Sequence, residues 1–109
     1  MAQTESATST TNGTLREGDK VIVRGVSSGV QYGTLVSYKG TEVALTNARR
    51  LWYWYGAFTL SAVAENGIDP GKSKLAVLVK SQIVLDACEI ILVSQKASKI
   101  IESTPEFRP

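Results

Sequence analysis

The sequence predicts an α+β fold, a small antiparallel β-sheet domain with two short helices. Three observations carry that expectation. Short β-branched runs recur between turn residues, as in Lys20–Val26 and Gln31–Tyr38. Two brief segments, near residues 59–66 and 94–102, switch to helical spacing. The chain has 109 residues, 43% hydrophobic and 20% charged, enough for one core and one domain.

Taken in order, residues 1–14 are Thr- and Ser-rich without large hydrophobes and predict a disordered N-terminal tail. A single domain is expected over residues 15–103, with a C-terminal tail over 104–109. Lys20–Val26 reads as the first strand and Ser27-Ser28-Gly29 as its interruption. Gln31–Tyr38 and Thr41–Asn47 form a hairpin about Lys39-Gly40. Thr59 caps a helix whose Leu60, Val63 and Ala64 share a face, and Gly67 ends it. Lys74–Lys80 reads as a strand, and Gln82–Val93 as one more. Ser94 caps a last helix with an Ala97, Ile100 and Ile101 stripe.

Composition excludes several chemistries. There is no His, so no His base, triad or metal ligand exists in this sequence. The one cysteine, Cys88, rules out an intrachain disulfide and reads as a small buried hydrophobe. No metal site and no cofactor are expected. Asp86 and Glu89 are three apart, which in a strand puts them on opposite faces and makes a poor catalytic pair. Gly71-Lys72-Ser73 misses the phosphate-loop pattern, because Gly67 and Gly71 enclose three residues where four are required. Lys72 and Lys74 read as solvated. Neither a membrane span nor a secretory leader is evident, so a cytoplasmic protein is expected. A net charge of +2 is small for a polyanion binder, which makes nucleic acid a poor candidate partner.

The stretch most suited to binding is Ala48–Tyr55, with two Arg followed by Leu51 and four consecutive aromatics. In extended chain, Arg50, Trp52 and Trp54 share one face, and Arg49, Leu51, Tyr53 and Tyr55 the other. An indole can stack on a base while a guanidinium clamps phosphate. The competing reading is a core or subunit seam, since aromatics bury large areas. Arg24 is a second candidate cation, beside a Ser27-Ser28-Gly29 loop able to nest an anion.

From Lys20 to about Glu102 the chain resembles a family of phage anti-defence sponges that act against the bacterial Thoeris system. The similarity lies in Val21-Ile22-Val23-Arg24, Ser28-Gly29-Val30, Gly33-Thr34-Leu35, Asp86 and Glu89-Ile90-Ile91. Its most specific part is Asn47-Ala48-Arg49-Arg50-Leu51-Trp52-Tyr53-Trp54, with Gly56-Ala57 and Thr59-Leu60. The resemblance implies a protein, not an enzyme, that sequesters cyclic ADP-ribose isomers in an infected bacterial host; some members also take cyclic di- or trinucleotides. It implies a homo-oligomer, dimer or hexamer. Carried over by motif, Arg24, Arg49 and Arg50 would hold phosphate, Trp52 or Trp54 would stack, and Asn47 would read a base edge or ribose. Phe107 and Arg108 would add an aromatic and a cation. The alternatives are a small β-domain for single-stranded nucleic acid and a structural phage assembly protein.

Overall fold

The computed structural model describes residues 15–108. Its elements in chain order are β1 (Lys20–Gly25), β2 (Val30–Lys39), β3 (Glu42–Tyr53), α1 (Leu60–Asn66), β4 (Lys74–Leu75), β5 (Val79–Val84), β6 (Ala87–Leu92) and α2 (Gln95–Ser103). All six strands pair antiparallel in one sheet. The fold is α+β, as its sequence predicts.

Chain length forces the sheet to curl. Along the sheet, β3, β2 and β1 separate β5 from β6. That is four strand spacings, about 19 Å if the sheet were flat. Only Leu85 and Asp86 join β5 to β6, and three Cα–Cα steps reach at most about 11 Å. The strands therefore roll into a partial barrel with this joint across its seam.

Asp86 fastens the joint. Its carboxylate accepts hydrogen bonds from the backbone N–H groups of Ser27 (2.7 Å) and Ser28 (2.9 Å) and from both hydroxyls (3.1 and 2.6 Å). The serine loop does cradle an anion, but the anion is the protein's own side chain. Gly25 lies against this cradle, where a Cβ would overlap Ser28 Oγ and come within 2.7 Å of Asp86 Oδ1. The hydroxyl of Ser28, followed by the other donors, holds the Asp86 carboxyl well below the usual range.

Two cores use the two faces of the curled sheet. Val21, Val23, Leu35, Val43, Leu45, Ala48, Val84 and Ala87 fill the barrel. Ile22, Tyr32, Leu51 and Leu75 face outward against Val63 and Ala64 of α1 and Ala97 and Ile101 of α2. β1 is thus buried on both faces, which explains its unbroken Val-Ile-Val run. Ser94 knits the helices together: its Oγ accepts from Ala97 N–H (3.0 Å) and donates to Glu65 O (2.7 Å). Thr59 caps α1 through Ala62 N–H, and Gly67 ends that helix at φ 87°.

Four sequence expectations need correction. β3 runs to Tyr53, not to Asn47, because Asn47 adopts φ 50° as an inserted residue and the strand continues beyond it. The expected strand over Lys74–Lys80 stops at Leu75, and the strand over Gln82–Val93 divides at the Asp86 joint. Cys88 is exposed, not buried. The register of β6 against β1 shifts between Arg24 and Gly25, leaving Cys88 as the extra residue turned out of the ladder. The expected tail over residues 1–14 lies outside the described residues.

Ile22→Ala should cost roughly 3 kcal/mol in denaturant unfolding, within the range for buried Ile truncations, whereas exposed Val36→Ala should cost little. Asp86 should also make stability acid-sensitive. A carboxylate with a depressed folded pKa stabilises fully above its unfolded value near 4, and that contribution is lost as pH falls through the folded value. The chemical-denaturation midpoint should therefore fall steadily below about pH 4. Asp86→Asn should be less stable at neutral pH and flatter across that window; an equally steep acid limb in the variant would show another group to be responsible.

Candidate functional site

The aromatic stretch is divided by the strand that carries it. Past Asn47, β3 presents Ala48 and Arg50 to the barrel side and Arg49 and Leu51 to the helices. Arg49 is only 4% exposed. Its Nε and Nη2 donate to Ala76 O (3.1 and 2.9 Å), and its Nη1 donates to Thr104 O (2.7 Å) and Ile101 O (3.1 Å). Burial lowers its pKa, against an opposing pull from Glu106, yet a guanidinium remains charged in a protein. Arg49 therefore closes the end of α2, whose last carbonyls lack helical partners, and ties it to the segment after β4. Its donors point into protein rather than toward a ligand.

The other sequence candidates are dispersed. Arg24 donates through Nε to Glu89 across the β1–β6 ladder (3.0 Å), and this hydrogen bond raises its pKa. Arg50 donates Nε to Gln31 Oε1 (3.2 Å), which also accepts from Gln82 Nε2 (3.2 Å) at one end of the barrel. Asn47 serves the backbone: a left-handed φ suits Asn better than branched residues. Trp54 lies past the end of β3 and packs against the outer core. Of the two tryptophans, Trp52 is the open one, at 54% exposure.

Trp52 belongs to a different cluster. Its ring meets Phe107 edge to face, 5.4 Å between centroids at 75°. Lys74 Nζ lies 4.9 Å from the Phe107 centroid, 5.3 Å from Trp52 and 5.7 Å from Tyr53. Lys72 Nζ stands 4.9 Å over Tyr55. Tyr53, Tyr55, Gly71, Lys72, Ser73, Lys74 and Phe107 line an open groove of about 430 Å³.

Backbone pairing explains the assembly. Lys74 lies opposite Tyr53 in the β3–β4 ladder. The C-terminal segment, expected to be a tail, runs beside β4: Glu106 bridges to Leu75, and Phe107 N–H donates to Leu75 O (2.9 Å). Arg49 holds the same segment through Thr104 O. Ser73 Oγ accepts from Tyr55 N–H (3.0 Å), fixing the loop that carries Lys72.

The sequence assigns Lys72 and Lys74 to solvent, because Gly71-Lys72-Ser73 misses the phosphate-loop spacing. Their partners come from β3 and the chain's last residues, distances in sequence that no local pattern shows. The Trp52 and Phe107 expectations are the signals that pointed here. Neither lysine has a carboxylate partner among the described residues. The groove thus offers ring faces for stacking and two cations for an anion. No cluster of metal-ligating side chains occurs among the described residues.

A curled six-stranded antiparallel sheet with two helices on its outer face, and an aromatic groove with two lysines at one end, defines the class. Within that class the chain belongs to the family described as a domain of unknown function, DUF6948, whose model matches residues 18–101. No curated protein and no solved structure matches the chain. No helix among the described residues is long and apolar enough to cross a membrane.

Arg49→Gln should destabilise the fold by about 2–3 kcal/mol, since it strands buried carbonyls. It should also shift Trp52 fluorescence by loosening the Phe107 segment. Phe107→Ala should reproduce the fluorescence shift with a much smaller loss of stability. Equal unfolding midpoints for Arg49→Gln and wild type would rule out the buried clamp.

Proposed function

We propose that the protein is a binding module, not an enzyme, that takes a phosphorylated, base-bearing ligand in the Tyr53–Lys74 groove and holds it unconverted. The observation that carries this reading is Lys74, whose ammonium sits among three aromatic rings without a carboxylate to neutralise it. A base stacks on an open ring face, and the phosphate then lies within reach of Lys74 and Lys72. A volume of about 430 Å³ falls within the range of small-molecule sites. The net charge of +2 favours a compact ligand over a polyanion.

The resemblance around Asn47–Trp54 selects the ligands to test first: cyclic ADP-ribose isomers, then cyclic di- and trinucleotides, with the protein acting as a sponge for them in an infected bacterial host. Relative to the motif carry-over, the phosphate role passes from Arg24, Arg49 and Arg50, which donate to Glu89, to backbone carbonyls and to Gln31 within the fold, to Lys72 and Lys74. Magnitude sets the mode of action. An open groove with one stack and two lysines supports about −8 kcal/mol, a micromolar Kd, rather than the −12 kcal/mol or so of a nanomolar site. Sequestration at that affinity depends on the protein outnumbering its ligand.

Calorimetric titration across this panel, followed by heat release and chromatography of the ligand, tests the reading. One ligand should bind and return intact. Lys74→Ala and Tyr53→Ala should each weaken it about tenfold or more, in line with roughly 1–3 kcal/mol per stacked base, while Arg24→Ala should leave it unchanged. No heat with any ligand, or a cleaved product, would sink the proposal. Binding of single-stranded DNA that collapses with salt would instead favour the nucleic-acid alternative.

A further inference from the structure

Among the described residues, two strands of the curled sheet have a neighbour on one side only, β5 and β6. Such edges carry unpaired backbone N–H and C=O groups and template pairing with another chain. The β5 edge and the residues leading into it are apolar and open. Val77 is 53% exposed, Leu78 44%, Val79 39%, Ile83 62% and Leu85 65%. Lys80 is the one charge from Val77 to Leu85, and it has no carboxylate partner among the described residues.

The β6 edge is its counterpart. Cys88 interrupts the ladder as a bulge, which confines regular edge to Glu89–Leu92. Glu89 is the only charge in that stretch, and Arg24 engages one of its oxygens, Oε1. Leu92 is 50% exposed.

We propose that the occupant of the β5 edge is the β6 edge of a second copy of this chain, paired antiparallel. One register satisfies both charge and apolar pattern. With Lys80 opposite the partner's Glu89, Val79 faces the partner's Ile90, Leu78 the partner's Ile91 and Val77 the partner's Leu92. Directly opposed residues in an antiparallel pair are close enough for a salt bridge and for hydrophobic contact. The contact joins unlike surfaces, so each copy offers β5 to one neighbour and β6 to the other. Repetition of a head-to-tail contact closes a ring or extends a filament. The Tyr53–Lys74 groove takes no part, so this assembly stands or falls apart from ligand binding.

Light scattering on the purified full chain reads the assembly, and cysteine pairing reads the register. Wild type should scatter as three or more chains, and Val79→Lys should return it to single-chain mass with its circular dichroism unchanged. Lys80→Glu and Glu89→Lys should each weaken assembly, and the double exchange should restore it. In the Cys88→Ser background, Val77→Cys and Leu92→Cys proteins should form disulfide dimers when mixed under oxidant and none when kept apart. A single-chain mass for wild type would overturn the proposal. So would crosslinking of either cysteine variant with itself, or a larger assembly in which the mixture fails to crosslink.

Discussion

Between β5 and β6 the chain must cross a seam that a flat sheet would make about 19 Å wide, with two residues to do it. Asp86 makes that crossing stable. Four donors from Ser27 and Ser28 converge on its carboxylate there. The same contact closes the β1–β2 loop onto the joint. Gly25 is a consequence of this arrangement, since any side chain at that point would displace the cradle.

Curling determines which residues can serve as core. A five-strand roll has an inside too narrow for helices, so the helices pack outside and β1 is sandwiched. The inserted Asn47 shifts the alternation of β3 partway along. Before it, Val43 and Leu45 point into the barrel; after it, Ala48 does, and Arg49 and Leu51 turn to the helices. Gly33 faces the insertion, where a Cβ would lie 3.1 Å from Leu45 Cβ and 3.3 Å from Ala48 Cβ. One strand thus supplies both cores.

Much of this architecture was legible in the sequence. β-branched runs marked β1 and β2, and Thr59, Gly67 and Ser94 marked helix ends, because capping is local chemistry. What could not be read locally was the joint at Asp86, whose partners lie 58 and 59 residues away. Alternation correctly separated Arg50 from Arg49 but could not say which face would be buried. That depends on α2 ending beside Arg49 with open carbonyls. Trp54 escaped the alternation because β3 ends before it. Lys74 carried no motif at all; its setting exists only once β4 pairs with β3 and the C-terminal segment packs beside it.

Several cations of this protein are satisfied within the fold, whereas Lys72 and Lys74 lie against rings with no carboxylate partner among the described residues. Lys20, Arg24 and Arg108 face carboxylates, and Arg49 faces carbonyls. To bind an external anion, each would first have to give up an internal partner. Lys72 and Lys74 face rings instead. A ring quadrupole orients an ammonium without cancelling its charge, so the ion keeps its field directed outward at little cost. Holding Lys74 among Trp52, Tyr53 and Phe107 also restricts a side chain that would otherwise lose considerable entropy on binding. The buried Arg49, which contributes no charge to the groove, contributes that restriction: by gripping Thr104 it keeps Phe107 against Trp52 and the aromatic wall formed.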